Sequence, residues 1–162
     1  MFKVIEKRPP QWLLDDIQKS NDKLKDNYTL KNLRLQDMLT FNLAMYEDDI
    51  VAFSGLQNWY DGTARVNSRY YVTPKYRQYA LREKRVRYLW EYLAPFQIKV
   101  AEEIGFKKLF WSTELYRRRG KTMELTIQQA KKHLPKGWYF KRLEGLHQIK
   151  NAKQEVCLIL KS

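Results

Sequence analysis

The stretch from Arg69 to Arg82, Arg-Tyr-Tyr-Val-Thr-Pro-Lys-Tyr-Arg-Gln-Tyr-Ala-Leu-Arg, constrains this chain more than any other. It opens with the aromatic and β-branched residues Tyr70, Tyr71, Val72 and Thr73, which favour a strand. Pro74 cannot continue an internal ladder, and a long helical pattern follows it. A strand that runs directly into a helix leaves backbone N–H groups unpaired at the turn, with the positive end of the helix dipole behind them. The junction is therefore a ready site for an anion.

The charge of the chain gathers at the same place. Residues 1–62 carry eight Lys and Arg against ten Asp and Glu, whereas residues 63–162 carry the other 23 basic and 8 acidic side chains. Between Arg65 and Arg87 stand Arg65, Arg69, Lys75, Arg77, Arg82, Lys84, Arg85 and Arg87, opposed by Glu83 alone. Centred on a helix start, such a run suits a polyanion, either a cofactor with several phosphates or a nucleic-acid backbone.

A chain of 162 residues with 44% hydrophobic and 14% aromatic residues is expected to bury a core as a single domain over residues 1–162. Cys157 is the sole cysteine, which excludes an internal disulfide and fits a reducing compartment. Set among Val156, Leu158, Ile159 and Leu160, it reads as a packed strand thiol. The N-terminal residues lack the apolar stretch of a signal peptide, and no run is long enough to span a membrane. A cytoplasmic location and no membrane partner are the expectation.

Taken in order, Phe2 to Glu6 reads as a strand, and Pro9-Pro10 introduces a helix carrying Leu13, Leu14, Ile17 and Leu24 on one side. Leu30, Leu33, Leu35, Met38 and Leu39 suggest a second, weaker helix. Alternation from Phe41 to Tyr46, the turn Glu47-Asp48-Asp49 and the return Ile50 to Leu56 make a hairpin. A second turn, Gln57 to Gly62, leads into a strand from Thr63 to Thr73. Both turns are expected to be solvated and without a catalytic role.

The helical pattern from Arg77 to Ile104 contains Pro95, which kinks or splits it, and ends at Gly105. Lys107 to Thr113 is the next strand, parallel to Thr63 to Thr73 because a helix connects them. Met123, Ile127, Ala130 and Leu134 mark a further helix, and Trp138 to Leu143 with Glu155 to Leu160 form a closing hairpin. The expected class is α+β, a mixed and mostly antiparallel sheet of about seven strands flanked by helices.

These residues resemble the GNAT superfamily of N-acetyltransferases, both in element order over the full length and in the acetyl-CoA motif V-x-P-x-x-R-x-x-G-x-G/A. Val72, Pro74 and Arg77 match the motif, and Ala80 and Arg82 stand at its two glycine positions. A Cβ there narrows the approach of backbone to phosphate, and Arg82 either caps the pyrophosphate or obstructs it. The resemblance implies an acyl-CoA N-acyltransferase fold in which two parallel strands splay apart around the pantetheine arm of acetyl-CoA. It places Tyr71, Val72, Arg77, Gln78, Tyr79, Ala80, Leu81 and Arg82 at that cofactor, with the Val72 N–H polarising the thioester. The helices after Pro10 lie where the family builds its acceptor wall, and Trp12 and Tyr28 are candidates to line it.

The acceptor amine, a small molecule or a protein, must lose a proton, and Glu114 at the end of its strand is the best-placed acid to receive it. The departing thiolate needs a proton, which the family often draws from the tyrosine of L-Y-x-x-x-G-F. Leu115-Tyr116-Arg117-Arg118-Arg119-Gly120 fits that pattern but follows its strand closely. Lys132-His133-Leu134-Pro135-Lys136-Gly137-Trp138 has the right position, with His133 in place of tyrosine. Tyr116 and His133 are both candidate acids, while His147 reads as structural. No metal-ligand spacing, Ser-His-Asp set or phosphate-cradling Walker loop is apparent. The rival reading is an inactive domain of this fold whose basic face, with Tyr76, Tyr79, Tyr88 and Trp90, binds nucleic acid or an acidic protein.

Overall fold

Strand β1 (Phe2–Glu6) and helix α1 (Gln11–Leu24) open the computed structural model, which describes residues 2–24, 37–59, 61–66, 71–73, 76, 90–114, 122–149 and 152–162. The Pro10 carbonyl accepts from the Leu13 N–H at 3.0 Å and the Leu14 N–H at 3.3 Å, so proline starts the helix without forfeiting a bond. Leu13, Leu14 and Ile17 are all buried, as the helical spacing demands.

Strands β2 (Asn42–Tyr46) and β3 (Asp49–Ser54) form the expected hairpin, and Glu47 turns it with a left-handed φ of 54°. Together with β6 (Tyr71–Val72) they make a four-stranded sheet in the order β1-β2-β3-β6. The second sheet begins with the short pair β4 (Gln57–Asn58) and β5 (Ala64–Arg65), joined by a turn in which Asp61 and Gly62 take φ of 58° and 70°. It continues through β7 (Lys108–Glu114), β10 (Ala152–Lys161) and β8 (Trp138–Arg142), with β9 (His147–Ile149) paired to β10. Helix α2 (Trp90–Ile104) precedes β7, and α3 (Thr122–Ala130), extended by a 3-10 turn at Lys131–His133, precedes β8.

Three differences from the sequence reading have physical causes. The helix expected to end at Met38 and Leu39 does not include them. Met38 bridges Gln57 and the Leu39 N–H donates to the Leu56 carbonyl at 2.7 Å, while the Met38 side chain joins Leu13, Ile17 and Phe53 in the core. Gln57 and Asn58, read as a turn, are a strand, because the hairpin closes more tightly, with the Trp59 N–H on the Thr63 carbonyl at 3.0 Å. The segment read as one strand from Thr63 to Thr73 has its ends bonded in different sheets. Leu30, Leu33, Leu35 and Tyr28 lie outside the described residues.

Helix α1 covers one face of the first sheet, where Leu13 and Ile17 meet Leu43 and Phe53. Helix α2 covers the other, with Leu93 against Ala44, Val51 and Ala52. Its next residues, Ala94, Ile98 and Ala101, turn to the second sheet and pack with Leu109, Trp111, Cys157 and Ile159, joined by Met123, Ile127 and Ala130 of α3. Each fully buried Leu or Ile contributes about 1.5–3 kcal/mol. Pro95 lies inside α2, which continues through it to Ile104. There Gly105, at φ 114°, ends the helix in a Schellman arrangement: its N–H reaches the Glu102 carbonyl at 3.1 Å and the Phe106 N–H reaches the Ala101 carbonyl at 2.9 Å.

At the foot of α2, Glu102 accepts from Trp138 Nε1 and Lys161 Nζ, each at 2.5 Å, and so ties helix, β8 and β10 together. Lys161 first, and Trp138 second, hold this carboxyl below its ordinary value of 4.5. A folded pKa below the unfolded one stabilises the fold above 4.5, and that contribution is lost as pH falls through the lower value. Thermal melts should accordingly show Glu102→Gln with a lower Tm than the parent at neutral pH and a gap that closes as pH drops below 4.5. A second test concerns Gly55, where a Cβ would collide with the Met38 Cε and lie 2.6 Å from the Thr40 carbonyl oxygen. Urea denaturation should find Gly55→Ala destabilised by about 2–3 kcal/mol.

Candidate active site

The two ends of the segment from Ala64 to Val72 take partners in different sheets, and we read the separation this leaves between β6 and the end of β7 as the candidate cleft. Ala64 pairs with Leu109 and Arg65 with Phe110, in parallel, and the Val66 N–H donates to the Phe110 carbonyl at 2.9 Å. Further on, Tyr71 pairs with Phe53 and Val72 with Ala52, antiparallel, in the first sheet. Strand β7 runs on past Phe110 to Glu114, accompanied on its far side by β10. Backbone groups alternate from edge to edge along a strand, so those of Ser112 and Glu114 face the same edge as the Phe110 carbonyl. Among the described residues no strand pairs with that edge beyond Phe110. Val72 thus bounds one side of an opening, and Ser112 and Glu114 the other.

The exit from β6 is held by hydrogen bonds. The Thr73 N–H donates to the Val51 carbonyl at 2.8 Å, and its Oγ1 reaches the carbonyls of Val51 at 3.0 Å and Ile50 at 3.1 Å. Tyr76, buried to 8% exposure, donates its N–H to the Thr73 carbonyl at 3.0 Å and its hydroxyl to Asp49 Oδ2 at 2.8 Å. The acidic turn after β2, read from sequence as merely solvated, therefore fixes the residue that immediately precedes Arg77.

Helix α2 passes the same opening near its start. Leu93 shares a core cluster with Tyr76 and with Ala52, whose strand partner is Val72, and Gln97, one turn later, donates its side-chain amide to Ser54 Oγ at 3.1 Å. Glu91 lies two residues before Leu93. Its Oε1 is 3.0 Å from His133 Nε2, and its Oε2 is 3.8 Å from Lys132 Nζ. The His133 ring stacks on Tyr92, with centroids 5.6 Å apart and planes inclined by 25°.

On the face away from α2, Arg65 donates to Ser112 Oγ at 3.1 Å, its guanidinium 5.4 Å from the Trp59 ring centre and 6.0 Å from that of Phe110. Trp59 meets Phe110 edge to face at 5.4 Å. The loop at Trp59, expected to be solvated, is part of an aromatic and cationic wall beside the opening.

Of the residues singled out from sequence, Tyr71 and Val72 form β6, Glu114 ends β7 opposite Gln154, and His133 ends the turn after α3. Among the described residues Val72 and Glu114 belong to different sheets, and His133 is paired with Glu91 on α2. Arg77, Gln78, Tyr79, Ala80, Leu81, Arg82 and Tyr116 lie outside the described residues. Trp12 is 54% exposed on α1. Glu91, Asp49 and Arg65 were missed. A 3.6-residue period places Glu91 in line with Pro95, Ile98 and Glu102, and that stripe was the available signal.

No family model matches the sequence, and no curated protein does. Solved structures do match. An acetyltransferase from Streptococcus agalactiae shares 16% identity over 98% of both chains, with a TM-score of 0.54. A GNAT-family acetyltransferase from Staphylococcus aureus gives 14%, 98% of both chains and 0.56. An acetyltransferase from Bacillus subtilis in complex with CoA gives 14% identity, 100% of this chain, 99% of that one and 0.54. The chain has the GNAT fold. The separation of β6 and β7 into different sheets is consistent with the splay that the resemblance implied. Among the described residues no helix is long and apolar enough to cross a membrane.

Cys157 lies on the far side of β7 from this cleft, paired with Trp111 and fully buried in the GNAT core. Burial pushes its thiol up to about 11. At neutral pH it stays protonated, and a thiolate-directed reagent should leave native protein unlabelled while labelling it fully in denaturant. Labelling of native protein at the same rate as denatured would contradict its burial.

Proposed function

We propose that this chain is an N-acyltransferase that moves an acetyl group from acetyl-CoA to an amine. The observation that carries the reading is the parting of β6 from β7, in a fold whose matches include an acetyltransferase in complex with CoA. An edge of β7 that no described strand pairs with past Phe110 would offer backbone groups to an extended, amide-bearing arm such as pantetheine. The turn from Thr73 into Arg77 supplies N–H groups and a guanidinium for the phosphates, with Gln78, Tyr79, Ala80, Leu81 and Arg82 lining their path.

The chemistry follows from the positions around the opening. The Val72 N–H donates to the thioester oxygen as negative charge develops there. An alkyl amine with a pKa about 10.4 must give up a proton to attack, and Glu114 receives it across the cleft. The thiolate that leaves is protonated by His133 or Tyr116. The acceptor is a small-molecule or protein amine that approaches beside Arg65 and Trp59.

The replacement of both motif glycines by Ala80 and Arg82, and the surplus of basic residues after position 62, support a second reading. In it the fold is kept without catalysis and the basic face binds nucleic acid or an acidic protein. Calorimetric titration with acetyl-CoA and CoA at low and physiological salt separates the two. Micromolar binding that survives salt supports the transferase, and binding that salt removes supports the polyanion reading. Arg77→Glu should weaken CoA by about 3 kcal/mol, near a hundredfold, with the fold retained. Tyr76→Phe, which releases Asp49, should weaken it by about 1 kcal/mol, near fivefold. Unchanged affinity in both variants would remove the phosphates from this turn.

A further inference from the structure

We propose that Glu91 is a positioning residue for His133, locking the imidazole so that Nδ1 returns a proton to the sulfur of departing CoA. This rests on the acyl-transfer reading above and selects His133 over Tyr116. The starting observation is that two neighbouring side chains of α2 hold one ring at the end of the turn after α3. Glu91 Oε1 lies 3.0 Å from Nε2, Tyr92 stacks on the ring at 5.6 Å, and the chain turns extended at Leu134, where the 3-10 turn ends. The Glu91 side chain is 15% exposed and the His133 side chain 52%, so the carboxylate is the sheltered anchor and the imidazole the accessible partner.

Committing Nε2 to the carboxylate leaves Nδ1 as the working nitrogen, and it has no partner among the described residues. Other charges near the ring are Lys131 and Lys132 on its own turn, the latter 3.8 Å from Glu91 Oε2. The location is set by packing. Leu93, two residues after Glu91, shares a core cluster with Ala52, the strand partner of Val72, and with Tyr76 at the exit from β6, so this part of α2 lies against the end of the first sheet that carries Val72.

The step balances without a further reactant. The amine nitrogen bonds to the acetyl carbon, the C–S bond breaks, and its electron pair stays on sulfur. The Nδ1 proton passes to that sulfur, giving the CoA thiol and a neutral imidazole that still donates Nε2–H to Glu91. The proton lost by the amine leaves through Glu114, and His133 recovers one from water. A purely structural ion pair at this exposure would contribute little to stability and nothing to turnover.

The test uses Glu91→Ala, Glu91→Gln, His133→Ala and the double variant Glu91→Ala/His133→Ala, with acetyl-CoA and a primary amine found by screening. Expected is a fall in kcat of about 10–100-fold for Glu91→Ala at unchanged KM for acetyl-CoA, because a misplaced group loses rate rather than binding. Glu91→Gln, which keeps an acceptor oxygen, should recover part of the rate, and the double variant should be no slower than His133→Ala. In parallel, imidazole nitrogen resonances are followed while CoA or desulfo-CoA is added. Movement of the Nδ1 resonance with CoA but not with desulfo-CoA supports contact with the sulfur. Additive losses in the double variant, a raised KM with kcat intact, or CoA that binds without moving Nδ1 would overturn the role of Glu91 and leave acyl transfer standing. Failure of CoA to bind at all would overturn both.

Discussion

The rest of the structure depends on one backbone constraint: the segment between Ala64 and Val72 is bonded at one end to β7 and at the other to β3. Every strand amide wants a partner, and a sheet that continued unbroken would satisfy them all at the cost of having no cleft. Changing partners part-way along one segment leaves that edge of β7 without a strand partner past Phe110 among the described residues. Strand β10 makes this tolerable by staying with β7 on its other edge from Lys108 to Glu114. The opening is therefore built from main chain, and no particular side chain creates it.

Helix α2 keeps the two sheets in register across that opening. Leu93 and Gln97 serve the first sheet, while Ala94, Ile98 and Ala101 serve the second. Neighbours on one helical turn thus point into different cores, which a rigid helix can do and a loop cannot. Its two ends carry side chains with distant partners, Glu91 at the head beside His133 and Glu102 at the foot beside Lys161. The buried pair Gln97 and Ser54 adds direction to an otherwise apolar contact, since a polar pair of this kind is costly to leave unmatched.

Much of the fold was legible because periodicity reports burial. Alternation gave β2 and β3, the Asp61-Gly62 pair gave its turn, Gly105 gave the end of α2, and the helix between two strands gave the parallel pairing of β5 with β7. Met38 and Leu39 were misread as helix because an apolar residue spaced helically looks the same whether it faces a core from a helix or from a bridge. Gln57 and Asn58 were misread as turn because two polar residues carry no strand pattern. In the candidate site, Val72, Glu114 and His133 were chosen from their positions relative to strand ends and a motif, and the structure gives the elements that carry them. Asp49, Glu91 and Arg65 were not legible, since their partners lie 27, 42 and 47 positions away along the chain.

The sequence by itself determined most of the elements and their order, because local propensity, hydrophobic period and turn chemistry act between near neighbours. Only the tertiary structure decided where the strands part, which edge is left open, and that Glu91 holds His133 while Asp49 holds Tyr76. Those outcomes come from long-range backbone pairing and from one helix packing on two sheets, and neither interaction has a signature that a single stretch of residues can carry.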